Sequence, residues 1–190
     1  MEAWAIDWRE LLMTTALHTV RTLRLDRFPR ITGPAHPFND YFKGFDKVEA
    51  VHRIFGEKTE QVLRDLKVEF TWAGGYMGVN STNGHLMVSS KYLNKGDRAD
   101  IYLDVIHELV HVKQFMEGKE LFDSHYSYTE RPTEIEAYRH AVEEARRLGW
   151  SDAKIFNYLK TEWMSEKELE RLASTVNVNC RQSQNIQKHA

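Results

Sequence analysis

Two histidines and a glutamate in this chain have the spacing that can bind a metal ion on a helix. His107 and His111 are four residues apart, and Glu108 follows the first of them. Residues four apart on a helix lie one above the other, so the two imidazoles can bind one metal ion. Glu108 then flanks the metal, where a carboxylate can take a proton from a zinc-bound water and pass it to a leaving amine. We therefore expect Zn²⁺ and a hydrolytic reaction with Glu108 as general base.

The HELVH pattern lies within residues 99–117, which predict one amphipathic helix. Asp97 is a suitable N-cap, and Gly118 supplies the C-terminal stop. Apolar side chains cover most of the predicted surface, so we expect a largely buried helix. One polar stripe remains, and it contains the two histidines together with Asp100, Asp104 and Gln114. A metal ion suits this stripe, and core histidines that are satisfied without metal are the alternative.

Asp104 lies one turn before His107 and has two interpretations. It is either an acceptor for the second ring nitrogen of a ligand histidine, as metal-bound histidines usually require, or a solvated helix residue.

A catalytic zinc ion takes three protein ligands, so the downstream chain should supply the third. Pro132 begins a predicted helix that ends near Gly149. On a helical wheel Glu134 falls at the centre of the apolar face, whereas Glu136 lies on the solvated side. A carboxylate that points at the core is unfavourable unless it is paired, hydrogen-bonded or bound to a metal. We therefore predict Glu134 as the third ligand, with Glu136 as its rival.

Residues 123–128 form a loop between the two predicted helices and are a natural source of an oxyanion-stabilising group. His125, Tyr126 and Tyr128 are the candidates, and we expect His125 or Tyr128 to take the catalytic role. The alternative is that these side chains only pack the loop or bind surface partners. His85 is either a further ligand or, as a lone histidine beside a turn, a surface residue.

Residues 68–92 predict three antiparallel strands, because apolar and polar residues alternate and Gly74-Gly75 and Asn83-Gly84 interrupt the runs. An edge strand beside a metal site can pair with an extended peptide through main-chain hydrogen bonds. The pattern leaves open which strand is the edge.

Helices are predicted on both sides of this central part. Residues 3–23 repeat apolar side chains at helical spacing, and residues 45–66 predict two short helices that are split near Gly56. Beyond the second long helix, Ser151 and Ser165 are suitable caps for two more helices.

The composition is that of an ordinary globular protein, with 190 residues, 42% apolar side chains and a net charge of -2. No long Lys/Arg cluster is present, so we expect neither nucleic acid nor a membrane as partner. The N-terminal segment contains the acidic residues Glu2 and Asp7, so it does not predict a secretory signal peptide. Cys180 is the only cysteine, so no intrachain disulfide can form, and we expect a cytoplasmic protein.

HELVH, followed by the segment EIEA that begins at Glu134, resembles the gluzincin metallopeptidases. Within them it is similar to the small minigluzincins and the ImmA/IrrE-type proteins, in which the first Glu of such a segment is a zinc ligand; this maps onto Glu134. The resemblance covers roughly residues 68–148 and implies a small sheet, an active-site helix and a glutamate helix around one zinc ion. It departs at Tyr138, where these families often carry Asn or Asp.

The predicted fold is α+β: a zincin-like single domain with a small antiparallel sheet of three or four strands and extra helices at both ends. We expect a metallopeptidase-like domain over residues 1–175, with an N-terminal helical part (1–66), a zincin core (67–149) and C-terminal helices (150–175). Residues 176–190 predict a flexible tail, which the resemblance suggests as an inhibitory segment.

The predicted function is zinc-dependent hydrolysis of peptide bonds in a peptide or protein substrate, by an endopeptidase rather than an exopeptidase. The alternative is a metal-binding regulatory or protein-interaction module on a metallopeptidase scaffold with little or no turnover. The His/His/Glu ligand set does not by itself exclude cobalt or manganese.

Overall fold

One long helix contacts both a strand of a small β-sheet and a second long helix. The computed structural model describes residues 20, 23–27, 35–72 and 75–179. Apart from Val20 and Leu23, the predicted helix over residues 3–23 lies outside the described residues. The tail from residue 180 onward also lies outside them.

The described residues form short strands and helices of very different length. The strands are β1 (Arg24–Leu25), β2 (His36–Pro37), β3 (Phe42–Lys43), β4 (Lys67–Thr71), β5 (Met77–Val79) and β6 (Leu86–Ser89). The helices are α1 (Phe38–Tyr41), α2 (Glu49–Phe55), α3 (Thr59–Asp65), α4 (Ser90–Lys95), α5 (Arg98–Met116), α6 (Pro132–Arg147), α7 (Asp152–Leu159) and α8 (Glu166–Thr175). Within the described ranges, no helix has both the length and the apolar composition that crossing a bilayer requires.

The main sheet is mixed, which corrects the prediction of an antiparallel sheet. Its order is β2-β4-β6-β5, with β4 and β6 parallel and the other two pairs antiparallel. β5 and β6 are joined by the turn at residues 80–85 and pair antiparallel, and β6 lies between β5 and β4. The alternation of side chains is the same in either pairing, so the sequence pattern could not reveal this order. The structure makes β5 an edge strand of the sheet.

The third predicted strand is shorter than expected. It ends at Ser89, whose side chain caps the next helix by accepting a hydrogen bond from the backbone of Tyr92. Residues 90–92 therefore belong to α4 and not to the strand.

The helix predicted over residues 99–117 is confirmed as α5. The Asp97 carboxylate accepts hydrogen bonds from the backbone N–H groups of Ala99 and Asp100 at 2.8 and 3.3 Å. After the last turn, Gly118 has a positive φ of 73°. Such a conformation favours glycine and ends the helix.

The glutamate helix α6 packs closely against α5 because its contact face carries small side chains. Ala137, Ala141 and Ala145 are completely buried. Small residues let two helix backbones approach, so side chains that project from either helix meet between them.

Two shorter helices follow α6 and close the core. Ser151 caps α7, and Ser165 forms a capping box with Glu168 at the start of α8, both as predicted. Val176 and Val178, which follow α8, are 2% and 3% exposed. These two residues at the start of the predicted tail are therefore buried, as apolar side chains favour.

Only glycine fits at Gly84, because its φ is +73° and an added Cβ would lie 2.5 Å from the Phe115 ring on α5. Gly84→Ala should lower the free energy of unfolding by about 2–4 kcal/mol, from left-handed strain together with overpacking. Gly118→Ala is the matched control, since it has the same φ and nothing within 4 Å. Gly118→Ala should lower the free energy of unfolding by only about 1 kcal/mol, and urea titration of both variants measures the difference. Equal losses in both variants would contradict the packing of the turn against α5.

Candidate metal centre

The structure brings His107, His111 and Glu134 together at the α5–α6 contact. His107 Nε2 lies 3.0 Å from His111 Nε2 and 3.3 Å from Glu134 Oε2, and His111 Nε2 lies 3.5 Å from the same oxygen. The three side chains form a buried group of potential metal ligands, among the residues that the structure describes. Each residue is only 5–6% exposed.

These three distances fit a zinc ion. Zn–N and Zn–O bonds of about 2.0–2.1 Å in a tetrahedral site place the donor atoms about 3.3 Å apart. The buried Glu134 Oε2 also lacks a geometrically acceptable hydrogen-bond partner among the described residues. A buried carboxylate oxygen in that position is what a cation would satisfy. The group can therefore hold a metal ion, with room for a fourth ligand.

The charges in the group are strongly coupled. Burial lowers the pKa of His107. Burial acts on His111 in the same direction, but the adjacent Glu134 carboxylate and the charge of Glu108 outweigh it and raise the pKa of His111 to about 9. Burial alone would raise the pKa of Glu134, yet the two histidines hold it well below its usual range. Glu134 is consequently a carboxylate at neutral pH, as a metal ligand must be.

Glu136 does not face the histidines but supports one of them through Gln114. Gln114 Nε2 donates to the Glu136 carboxylate at 2.9 Å and to the backbone oxygen of Thr133 at 3.0 Å. These bonds turn the amide oxygen of Gln114 towards His111 Nδ1, which lies 2.7 Å away. Since an amide oxygen only accepts, Nδ1 carries a hydrogen, which leaves Nε2 of His111 as the nitrogen that a metal would bind in place of a proton.

Glu108 lies beside the three candidate ligands and is 7% exposed. Burial raises its pKa to about 8; the nearby Glu134 and Asp104 carboxylates act in the same direction, and His111 opposes them. Its Oε2 atom has no hydrogen-bond partner among the described residues. A carboxyl group with a pKa near neutrality can both accept and donate a proton at physiological pH.

Two cavities meet at this centre. The larger, about 220 Å³, extends towards the start of α5, and the smaller, about 160 Å³, extends along β5. The residues that line both cavities are Met77, His107, Glu108, Tyr128 and Trp163. The candidate centre therefore lies where the two cavities join, beside the edge strand.

The three loop residues His125, Tyr126 and Tyr128 differ in whether they reach the cavities. His125 is exposed and pairs with Asp123 at 2.7 Å, and Tyr126 is exposed as well. Neither of them is among the described residues that line the two cavities, whereas Tyr128 lines both. The prediction that His125 reaches the site is therefore not supported, because its side chain points to solvent. His85 likewise pairs with Glu69, at 2.6 Å, and is not part of the His/His/Glu group.

Sequence reasoning did not identify Tyr138 as a functional residue. Its ring packs edge-on against His107, with centroids 4.4 Å apart, and its hydroxyl lies 2.9 Å from that of Tyr128. The residue thus occupies the place beside the ligands where the resemblance led us to expect Asn or Asp. Its position four residues after Glu134, on the same face of α6, was the available signal.

Asp104 does not orient a ligand histidine. It accepts hydrogen bonds from the hydroxyls of Tyr92 and Tyr158, at 2.9 Å for the latter. Burial raises the pKa of Asp104 to about 6, against the effect of these two bonds. His107 Nδ1 remains buried without a partner among the described residues. Asp104 therefore belongs to the wall of the larger cavity, which neither sequence interpretation anticipated.

Glu134 and Glu136 provide a matched test of the metal site. Glu134→Gln should weaken zinc binding by more than about 100-fold. Loss of a residue that only hydrogen-bonds to a metal ligand already lowers metal affinity by about 10–100-fold, and loss of a ligand should lower it further. Glu136→Gln should weaken zinc binding by less than about 10-fold, because it alters only the support of Gln114. Competition of each purified variant with a zinc chelator measures both values. If Glu136→Gln lost more zinc affinity than Glu134→Gln, the third ligand would be Glu136 and our assignment of Glu134 would be wrong.

Comparisons with protein-family models, with curated proteins and with solved structures found no match for this chain. Its function must therefore be argued from the geometry of the site.

Proposed function

We propose that this chain is a zinc-dependent metallopeptidase in which His107, His111 and Glu134 hold the metal. The observation that carries the proposal is the group of three buried donor atoms 3.0–3.5 Å apart. A histidine pair with one carboxylate is a ligand set of hydrolytic zinc sites, whereas structural zinc more often recruits cysteine. A bound Zn²⁺ would polarise the scissile carbonyl and lower the pKa of water to about 7.

Glu108 is the proposed general base and acid. Its unpartnered oxygen is buried at the junction of the two cavities, where an attacking water would approach. Glu108 takes a proton from that water and delivers it to the nitrogen of the leaving amine. A carboxyl group in this position can accept a proton in the first step and donate it in the second.

The edge strand β5 is the proposed binding strand for the substrate. It pairs with β6 along one side, and its residues line the cavities that contain His107 and Glu108. An extended peptide that adds to its other side would gain main-chain hydrogen bonds and lie across the metal ligands. Such binding suits an internal segment of a polypeptide, so we propose an endopeptidase.

The wider interpretation is a zincin-like enzyme of the gluzincin type, similar to minigluzincins and ImmA/IrrE-type proteins. It draws on the HELVH pattern, the ligand on a following helix and the small sheet beside them. We also propose a cytoplasmic location, which suits a chain with one cysteine.

Glu108→Gln separates catalysis from metal binding. The variant should keep zinc at one equivalent but cleave a peptide library at least about 100-fold more slowly, because the amide cannot take the proton. Wild-type protein that binds zinc and cleaves nothing would contradict the enzyme proposal. That outcome would favour the regulatory or interaction module.

Tyr128 is the proposed donor to the oxyanion. If Tyr138 donates to Tyr128, the hydroxyl hydrogen of Tyr128 is free to point into the two cavities that Tyr128 lines. Tyr128→Phe should lower kcat by roughly 10²–10³-fold with zinc content unchanged, as loss of one oxyanion donor does elsewhere. The control is His125→Ala, whose exposed side chain should leave kcat unchanged. The reverse pattern would return the role to His125.

A further inference from the structure

The larger cavity beside the proposed catalytic centre has a wall made of hydrogen-bond acceptors. Asp104 projects into it between Tyr92 and Tyr158, and each phenol donates its hydrogen to the carboxylate. A second carboxylate, Asp100, lines the same cavity one turn earlier on α5.

The hydrogen bonds of this wall determine which ligand it can recognise. A phenol that donates its only hydrogen keeps its oxygen lone pairs, and a carboxylate that accepts two hydrogen bonds keeps further acceptor sites. Tyr92, Asp104 and Tyr158 therefore offer acceptors and no remaining hydroxyl hydrogen. The matching ligand is a group with donors only, and the donor-only side-chain groups are ammonium and guanidinium.

The shape and the other walls of the cavity agree with a long cationic side chain. At about 220 Å³ the cavity is more than ten times larger than the space that one water requires. Its aromatic rings include Tyr76 and Trp163, whose centroids are 5.9 Å apart. Such rings cover an aliphatic stem and attract a cation to their faces. The only lining cation among the described residues is Lys160, which is exposed and outnumbered by the carboxylates.

We infer that this cavity binds the side chain of a lysine or arginine next to the cleaved peptide bond, with Asp104 as the specificity-determining residue. The inference rests on the proposed function, because it assigns the substrate class of the same site. It does not depend on turnover, since a cationic side chain can bind this cavity in the absence of chemistry.

The test combines cleavage with direct binding. Zinc-loaded wild-type protein is given a peptide library, and kcat/KM is compared for two peptides that differ only by arginine or norleucine at the preferred position. Binding of n-butylguanidinium is measured separately by NMR titration. Asp104→Asn keeps one oxygen for one of the two tyrosine hydroxyls and removes the charge. Glu117→Gln is the control, because it removes one charge from the end of α5, and Glu117 is not among the residues that line the cavity.

We expect the wild-type protein to prefer the arginine peptide by about tenfold or more, the usual scale for a buried charge-assisted hydrogen bond. Asp104→Asn should remove most of that preference and of the n-butylguanidinium binding, with the fold retained by circular dichroism. Glu117→Gln should keep both. If Asp104→Asn unfolds, Tyr158→Phe serves as the second variant and should lower the preference by a smaller factor.

The possible failures are distinguishable. Cleavage without preference for a basic residue, or a preference that Asp104→Asn leaves unchanged, would overturn the inference and leave the proposed function standing. Asp104-dependent binding of n-butylguanidinium without any cleavage would support the cationic cavity and reject the peptidase. Absence of both cleavage and binding would reject both.

Discussion

The burial of the Glu134 carboxylate is the constraint on which the rest of the site depends. A carboxylate that is 5% exposed between two helices is unfavourable unless donors or positive charge surround it. Two imidazole nitrogens of α5 lie 3.3 and 3.5 Å from its Oε2 atom, where a protonated imidazole or a bound metal ion would supply the positive charge. Fully buried alanines on α6, such as Ala137 and Ala141, permit the approach, because larger side chains would hold the helices apart. The arrangement that satisfies the buried charge also has the spacing of zinc ligands.

Two separate hydrogen-bond networks of polar side chains surround this centre. Gln114 accepts a hydrogen bond from the ring of His111 and is itself held by Glu136 and a backbone carbonyl, so these bonds favour one orientation of the imidazole. On the cavity side, Asp104 takes its hydrogen bonds from two tyrosines and leaves acceptors facing the open space. The first network holds a proposed metal ligand, and the second borders the cavity that we propose for a cationic side chain.

Most local features could be predicted because their causes are local. The capping of α5 by Asp97 and of α8 by Ser165, and the helix end at Gly118, depend on a few neighbouring residues. The direction of Glu134 towards the core and of Glu136 away from it follows from helical periodicity alone. The sheet was predicted less well, since alternation identifies strands but not their order, and β4 and β6 are parallel where antiparallel strands were expected.

The sequence by itself determined the helices, their buried faces and the three residues that can hold a metal, because each follows from spacing along one element. Only the tertiary structure decided which loop side chain reaches the cavities, choosing Tyr128 over His125. It alone also joined Tyr92, Asp104 and Tyr158, which come from three helices. The physical reason is that these contacts depend on how distant elements pack, and a local pattern carries no information about which segments will meet.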